Sequence, residues 1–310
     1  MTLAIEESMA VFLLAVAFDI LIGEPPVRIH PVVWVGRLIS FLRARAGPTK
    51  VQGMLLALTV IAVSVLAAHL LVRAAGVLPV LPLLVGAYLF KSTFAIRCLL
   101  ETSSSIGRMI EQDIEVAKQM LPALVGRDTS SLRPAQASSA VIESLSENYV
   151  DSILSPIFYY ILFTPLGLGL EAAIAFKAIS TMDSMIGYKK PGLKELGYAG
   201  ARLDDLANWI PARLSIILIA LARPRGALSA IRAALKYHSA TPSPNSGWPM
   251  AAAAGSLKIR LEKPGQYILL EENPDPKTQD IPRAIGLMQS AIALTLLAAI
   301  ISLVLGGLLP

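Results

Sequence analysis

Three carboxylates recur at four-residue steps in V-I-E-S-L-S-E-N-Y-V-D: Glu143, Glu147 and Asp151. On a helix turning about 100° per residue they fall within about 80° of arc, a single acidic stripe. Like charges at this spacing repel unless a cation sits among them, most simply Mg²⁺ or a bound amine. Asn148 adds a neutral ligand or hydrogen-bonding group. The plainer reading is an amphipathic helix with a solvated acid face. Against it, Val150 and Leu154 share the arc and make that face mixed.

A second polar cluster lies in A-R-L-D-D-L-A-N-W-I-P-A-R, where Asp204 and Asn208 stand one turn apart and Asp205 adjoins them. Such a set suits a metal–phosphate site, although a helix N-cap by Asp204 would also explain it. Arg202 and Arg213 flank the cluster and could grip phosphate oxygens in bidentate fashion. Lys177 and Asp183 lie inside the apolar F-K-A-I-S-T-M-D-S-M, as catalytic groups or as a structural ion pair. Asp19, Glu24 and His30 gather where the first apolar run ends; His30, before Pro31, also reads as a turn residue. In S-P-N-S-G-W-P, Ser243 and Asn245 lead into a helix whose first turn suits Pro249, which makes either an anion site or an ordinary helix entry. The chain has no G-x-x-x-x-G-K-[ST], G-x-G-x-x-G or H-E-x-x-H, so a nucleotide would bind without a standard phosphate loop.

The elements that must position these groups are apolar. Of 310 residues 55% are hydrophobic and only 16% charged, with a mean hydropathy of +0.62. That balance predicts an all-α, polytopic helical membrane protein, and 6% aromatic residues are too few for a barrel with aromatic girdles. Each charge kept in such segments costs about 3 kcal/mol on insertion scales, so a cluster of them implies use. The net charge of +5 fits basic cytoplasmic loops rather than nucleic-acid binding. A single cysteine, Cys98, excludes an intrachain disulfide and a cysteine-based metal site.

Taken in order, the chain predicts a retained first span over about 9–22, carrying Glu6 and Glu7 where a secretory signal would be basic. A cytoplasmic loop with Arg28, Arg37, Arg43, Arg45 and Lys50 follows, which puts the N-terminus outside. Further apolar runs cover about 54–72, 77–90, 153–170, 172–186 and 285–309, with Lys189, Lys190, Lys194 and Arg202 on a cytoplasmic loop. Residues 206–222 have basic residues on both sides and read as a re-entrant or interfacial helix kinked at Pro211. An amphipathic helix is expected over about 93–126, and K-P-G-Q-Y-I-L-L is strand-like or irregular. This gives one membrane domain, 1–310, with cytosolic insertions at about 91–140 and 223–282.

The segments F-D-I-L-I-G-E-P, I-H-P-V-V-W-V-G-R, V-I-E-S-L-S-E-N-Y-V-D, F-K-A-I-S-T-M-D-S-M-I-G-Y-K, A-R-L-D-D-L-A-N-W-I-P-A-R and S-P-N-S-G-W-P-M-A-A-A-A-G run in order through most of the chain. Together they resemble the adenosylcobinamide-phosphate synthase family of cobalamin biosynthesis. The resemblance implies a multi-pass cell-membrane enzyme with its active site on the cytoplasmic side. It would join adenosylcobyric acid, a corrinoid, to (R)-1-amino-2-propanol O-2-phosphate or ethanolamine phosphate, using ATP and Mg²⁺. The family commonly places a His close before S-P-N; here Thr241-Pro242 stand there and His238 is further back.

On that basis Glu147, Asp151, Lys177, Asp183, Asp204 and Asp205 are the expected catalytic residues. Glu143, Glu147, Asp151, Asp204 and Asp205 are the expected metal ligands. Asp19, His30, Asn148, Arg202, Asn208, Arg213, Ser243 and Asn245 would contact substrate or nucleotide. The lipid bilayer is an expected partner and nucleic acid is not; a homo-oligomer, or contact with later membrane enzymes of the pathway, stays open. Two other classes compete: a Mg²⁺-dependent membrane prenyl- or alcohol-phosphate transferase, and a non-catalytic sensor or transporter of the same superfamily. The transferase should carry two full D-x-x-x-D motifs, and the sensor should lack the acid clusters.

Overall fold

A computed structural model describes residues 2–187 and 193–308; the expected cytoplasmic residues Lys189 and Lys190, and Leu309 at the end of the closing span, lie outside them. The first half contains α1 (Thr2–Leu21), α2 (Pro31–Arg43), α3 (Lys50–Ala74), α4 (Leu81–Lys91), α5 (Ile96–Gln112), α6 (Ile114–Met120) and α7 (Pro134–Tyr149). Then come α8 (Ser155–Phe163), α9 (Gly169–Ile186), α10 (Tyr198–Ala207), α11 (Trp209–Ala222), α12 (Ala227–Tyr237) and α13 (Gly247–Leu257). A two-stranded hairpin, β1 (Leu261–Lys263) and β2 (Tyr267–Leu269), precedes α14 (Asp280–Leu308). Its antiparallel register pairs Leu261 with Leu269 and Lys263 with Tyr267, and Gly265 takes the left-handed turn conformation at φ 71°.

Among the described residues four helices are long and apolar enough to cross a membrane: Lys50–Ala75, Leu81–Gln112, Pro134–Leu166 and Asp280–Gly307. The pair Tyr198–Ala207 and Trp209–Ala222 would make a fifth. α3 shows why: it is apolar all round, and it exposes Leu55, Leu58, Leu66 and Leu70 while burying Leu56 and Val60. A helix that is apolar on its outer face as well as its inner one suits lipid on the outside.

The chain forms two compact units. The first comprises residues 1–95, 155–207 and 298–310. Its core joins Ile39 of α2, Leu56 and Val60 of α3, and Ala178, Met182 and Ile186 of α9. Aromatic packing adds to it: Phe90 of α4 stacks on Tyr160 of α8 with ring centres 4.0 Å apart, and Phe12 of α1 lies 6.0 Å from Phe90.

The second unit comprises residues 96–154 and 208–297. α13 (G-W-P-M-A-A-A-A-G-S-L) is buried along its whole length. Its small side chains let α12 approach closely, and a Cβ at Gly255 would lie 2.5 Å from the Ser229 carbonyl oxygen. Tyr149 at the end of α7 is fully buried, and its hydroxyl lies 2.8 Å from Thr295 Oγ1 on α14.

Three local expectations change. The basic loop after the first span folds largely as α2, because His30 caps its start, Pro31 opens its first turn and apolar residues recur at helical steps. The 93–126 helix divides, since Asp113 accepts from the amides of Glu115 and Val116 and starts α6. The break expected at Pro211 falls at Asn208, which places Pro211 in the first turn of α11, where its missing N–H costs nothing.

Candidate active-site residues

In the first unit, α1 and α4 pack together and bring Asp19 onto Lys91, both fully buried, at 3.0 Å between Oδ1 and Nζ. Lys91 Nζ also donates to Glu24 Oε1 at 2.7 Å. His30 accepts the Val32 amide at Nδ1, so its Nε2 carries the proton and donates to Glu24 Oε2 at 2.9 Å. Burial would raise the Glu24 carboxyl, but the hydrogen bonds from His30 and Lys91 and the Lys91 charge outweigh it and hold the group below its ordinary value. The expected gathering of Asp19, Glu24 and His30 therefore forms around Lys91, a lysine contributed by α4. His30 is both its member and the cap of α2.

The same unit gathers a second set at the end of α9 and along α10. These helices close tightly because glycines line the approach; a Cβ at Gly197 would lie 1.9 Å from the Ile186 carbonyl oxygen. Asp183 is half-buried, and burial followed by the Asp205 charge pushes its carboxyl above the ordinary range. Asp205 in turn lies 4.0 Å from the exposed Arg202, and the Asp204 charge acts on Tyr159 of α8. Asp204 sits inside α10 rather than at a helix start, which removes the N-cap explanation. Lys177 is half-buried on α9; six residues before Asp183, it is turned about 240° from it, so the two do not share a helix face.

In the second unit the acidic stripe of α7 separates by burial. Glu143 Oε1 accepts from Ser139 Oγ at 2.6 Å and from Arg127 Nη2 at 3.5 Å, and Oε2 accepts from the Tyr267 hydroxyl at 2.8 Å. Burial, then the neighbouring Glu143 charge, raises the Tyr267 phenol, which stays protonated and donates. Glu147 is half-buried and its charge also reaches Tyr267. Asn148 donates to the carbonyl and hydroxyl of Ser144, both at 2.9 Å, and so serves its own helix. Asp151 is half-buried in a π turn over Val150–Leu154. Pro156 follows and cannot donate to the carbonyl four residues back, a local cause for the widened ladder, and such turns recur at functional sites.

A further group in this unit surrounds Arg213 of α11. Its guanidinium lies 4.1 Å from the ring centre of Trp209 and 4.9 Å from that of Trp248, and Nη1 donates to Asn245 Oδ1 at 3.4 Å. His238 stacks flat on Trp248 at 3.8 Å. Ser243 Oγ accepts from the amides of Asn245 and Ser246 and shapes the turn into α13. Asn208 is buried at the start of α11.

Arg127, Tyr267 and Lys91 are the groups that reasoning from sequence passed over. Arg127 and Tyr267 lie 16 and 124 residues from Glu143, and only the burial of a carboxyl at 143 signals that partners must exist. For a metal, the described residues hold no group of three or more His, Cys, Asp or Glu. Mg²⁺ needs no such cage: it keeps waters and is bound through one or two carboxylates plus substrate phosphate. The mutually repelling Asp183 and Asp205 fit that mode.

Long apolar helices that carry buried ion pairs and half-buried carboxylates define a polytopic α-helical membrane protein. Residues 12–295 match the family described as CobD/Cbib protein. The chain is 51% identical over 306 residues to a probable cobalamin biosynthesis protein CobD of Methanothrix thermoacetophila, covering 96% of this chain and 97% of that one. It is 39% identical to the probable cobalamin biosynthesis protein CobD of Methanothermobacter thermautotrophicus, over 94% and 96% of the two chains. With the cobalamin biosynthesis protein CobD of Klebsiella pneumoniae it shares 38% over 90% and 92%. No solved structure matches it. The chain belongs to the CobD/Cbib family.

Proposed function

We propose that the protein acts in cobalamin biosynthesis as an ATP-dependent amide ligase, joining adenosylcobyric acid to (R)-1-amino-2-propanol O-2-phosphate or ethanolamine phosphate to give adenosylcobinamide phosphate. The observation that carries the reading is the packing of α10 on the end of α9, where a Cβ at Gly200 would lie 3.9 Å from the Asp183 amide nitrogen; burial first and then the Asp205 charge raise the Asp183 carboxyl there. Two carboxylates held against their repulsion are suited to a divalent cation bound with phosphate. Family membership over 12–295 supplies the pathway.

An amide forms from a carboxylate only after activation. The corrinoid carboxylate oxygen attacks the γ-phosphorus of ATP and ADP leaves; the amine then attacks the acyl carbon, and phosphate leaves as the C–N bond forms. Asp183 and Asp205 would hold Mg²⁺, which when bound supplies neutralising charge to the phosphate oxygens. Arg202 adds positive charge to the transferring group, and Asp204 takes the proton the amine loses.

In the second unit Glu147 and Asp151 form a further acidic pair. Arg213, Asn245 and Ser243 are assigned to an anionic part of a substrate. Glu143, engaged by Ser139, Arg127 and Tyr267, ties the hairpin to α7 rather than binding metal. The chemistry runs at the cytoplasmic face, where nucleotide is supplied.

Purified protein incubated with adenosylcobyric acid, the aminoalcohol phosphate and Mg-ATP should yield the amide by mass. D183N and D205N should each lower kcat by about 100-fold or more, the scale of losing a charge-stabilising group. Wild-type rates in both variants would remove the assignment.

A further inference from the structure

The second unit holds a cavity of about 300 Å³ between α12, the end of α13 and the segment after β2. Arg232, Lys236, Tyr237, Lys258, Leu270 and Glu272 are among its walls. Glu272 is fixed there: the Tyr237 hydroxyl donates to both its oxygens, at 2.9 and 2.7 Å, and Lys236 Nζ lies 3.4 Å away. Three cations, Arg232, Lys236 and Lys258, thus line the cavity with one carboxylate, Glu272, and all four residues are exposed.

The backbone gives an independent sign. Among the described residues two non-glycine positions adopt positive φ, Lys258 at 59° and Leu270 at 53°, and both line this cavity. Lys258 occupies the left-handed C-cap of α13, its amide bonded to the Ala254 carbonyl. Glycine is the usual residue there, since a Cβ strains that conformation. Lys258 therefore carries a Cβ where glycine is usual, and strained backbone concentrates at functional sites.

We propose that this cavity binds a phosphate monoester dianion, with Arg232 and Lys258 as its two counter-charges. The size suits a small phosphorylated head. Arg232 presents a planar fork to phosphate oxygens and Lys258 a point charge, while a phosphate monoester carries close to two negative charges at neutral pH. Glu272 and the Tyr237 hydroxyl offer polar contacts to whatever the phosphate is attached to. The ligand could be a free phosphate ester or the headgroup of phosphatidic acid, which share this chemistry.

The test is calorimetric titration of the full-length protein with inorganic phosphate at pH 7.5. The R232A/K258A variant should weaken phosphate binding at least tenfold, while R225A, an exposed arginine outside the cavity, should leave it unchanged. K258G separates function from folding: it should raise the melting temperature and still weaken phosphate. Repeating the titration in phosphatidylcholine nanodiscs with and without phosphatidic acid identifies the source. Phosphate binding suppressed by the acidic lipid marks a headgroup site, and binding unaffected by it marks a free ester. Phosphate affinity unchanged in both R232A/K258A and K258G, or phosphate binding lost only on R213A, would overturn the proposal.

Discussion

Replacing Lys91 by Met probes the buried network most sharply, because methionine keeps the apolar stem and deletes only the charge. Two ion pairs are lost, and they are unequal. Glu24 keeps 29% of its side chain exposed, so its share is a surface-like pair of about 1 kcal/mol or less. Asp19 is fully buried 3.0 Å from the ammonium, and stripping the partner from a buried charge costs about 3–5 kcal/mol. K91M should therefore destabilise the first unit mainly through Asp19, lowering the melting temperature by roughly 6–20 °C at about 2–4 °C per kcal/mol. The assay is the fraction of detergent-solubilised protein that stays monodisperse on gel filtration after stepwise heating. Adding D19N removes the stranded charge, so D19N/K91M should recover about half of the loss or more. A K91M melt equal to wild type, or a double variant worse than K91M, would refute the reasoning.

Acid titration examines the same network from Glu24. Its folded-state pKa is lowered, so its contribution is full above the ordinary carboxyl value near 4.5 and is lost as the pH falls through the folded value. E24Q should flatten the acid limb of a stability-against-pH curve, and an unchanged limb would contradict this. In the second unit, Y267F takes the phenol from Glu143 Oε2 and should cost about 1–3 kcal/mol, read as a lower melting temperature; a wild-type melt would show that the contact is idle.

The sequence allowed the helical class to be read because α3 and α14 are apolar over lengths that little else explains. α2 was also readable in principle: His30, then Pro31, then apolar residues at three- and four-residue steps is a helix start, but five basic residues drew attention to a loop. The site was less legible for a physical reason. Acids announce themselves inside apolar runs, whereas their partners are set by packing: Lys91 meets Asp19 only where α1 and α4 touch, and Tyr267 meets Glu143 only because a hairpin places it there. Glu143 and Glu147 read alike on a helical wheel, and burial alone tells them apart.

The central claim is amide synthesis through a phosphorylated carboxylate, and isotope transfer tests it most directly. Adenosylcobyric acid labelled with ¹⁸O in the reacting carboxylate is turned over with aminoalcohol phosphate and Mg-ATP, and the released inorganic phosphate is analysed by mass. The account predicts one ¹⁸O in that phosphate for each amide formed. Amide without label in phosphate, or no amide at all, would contradict it.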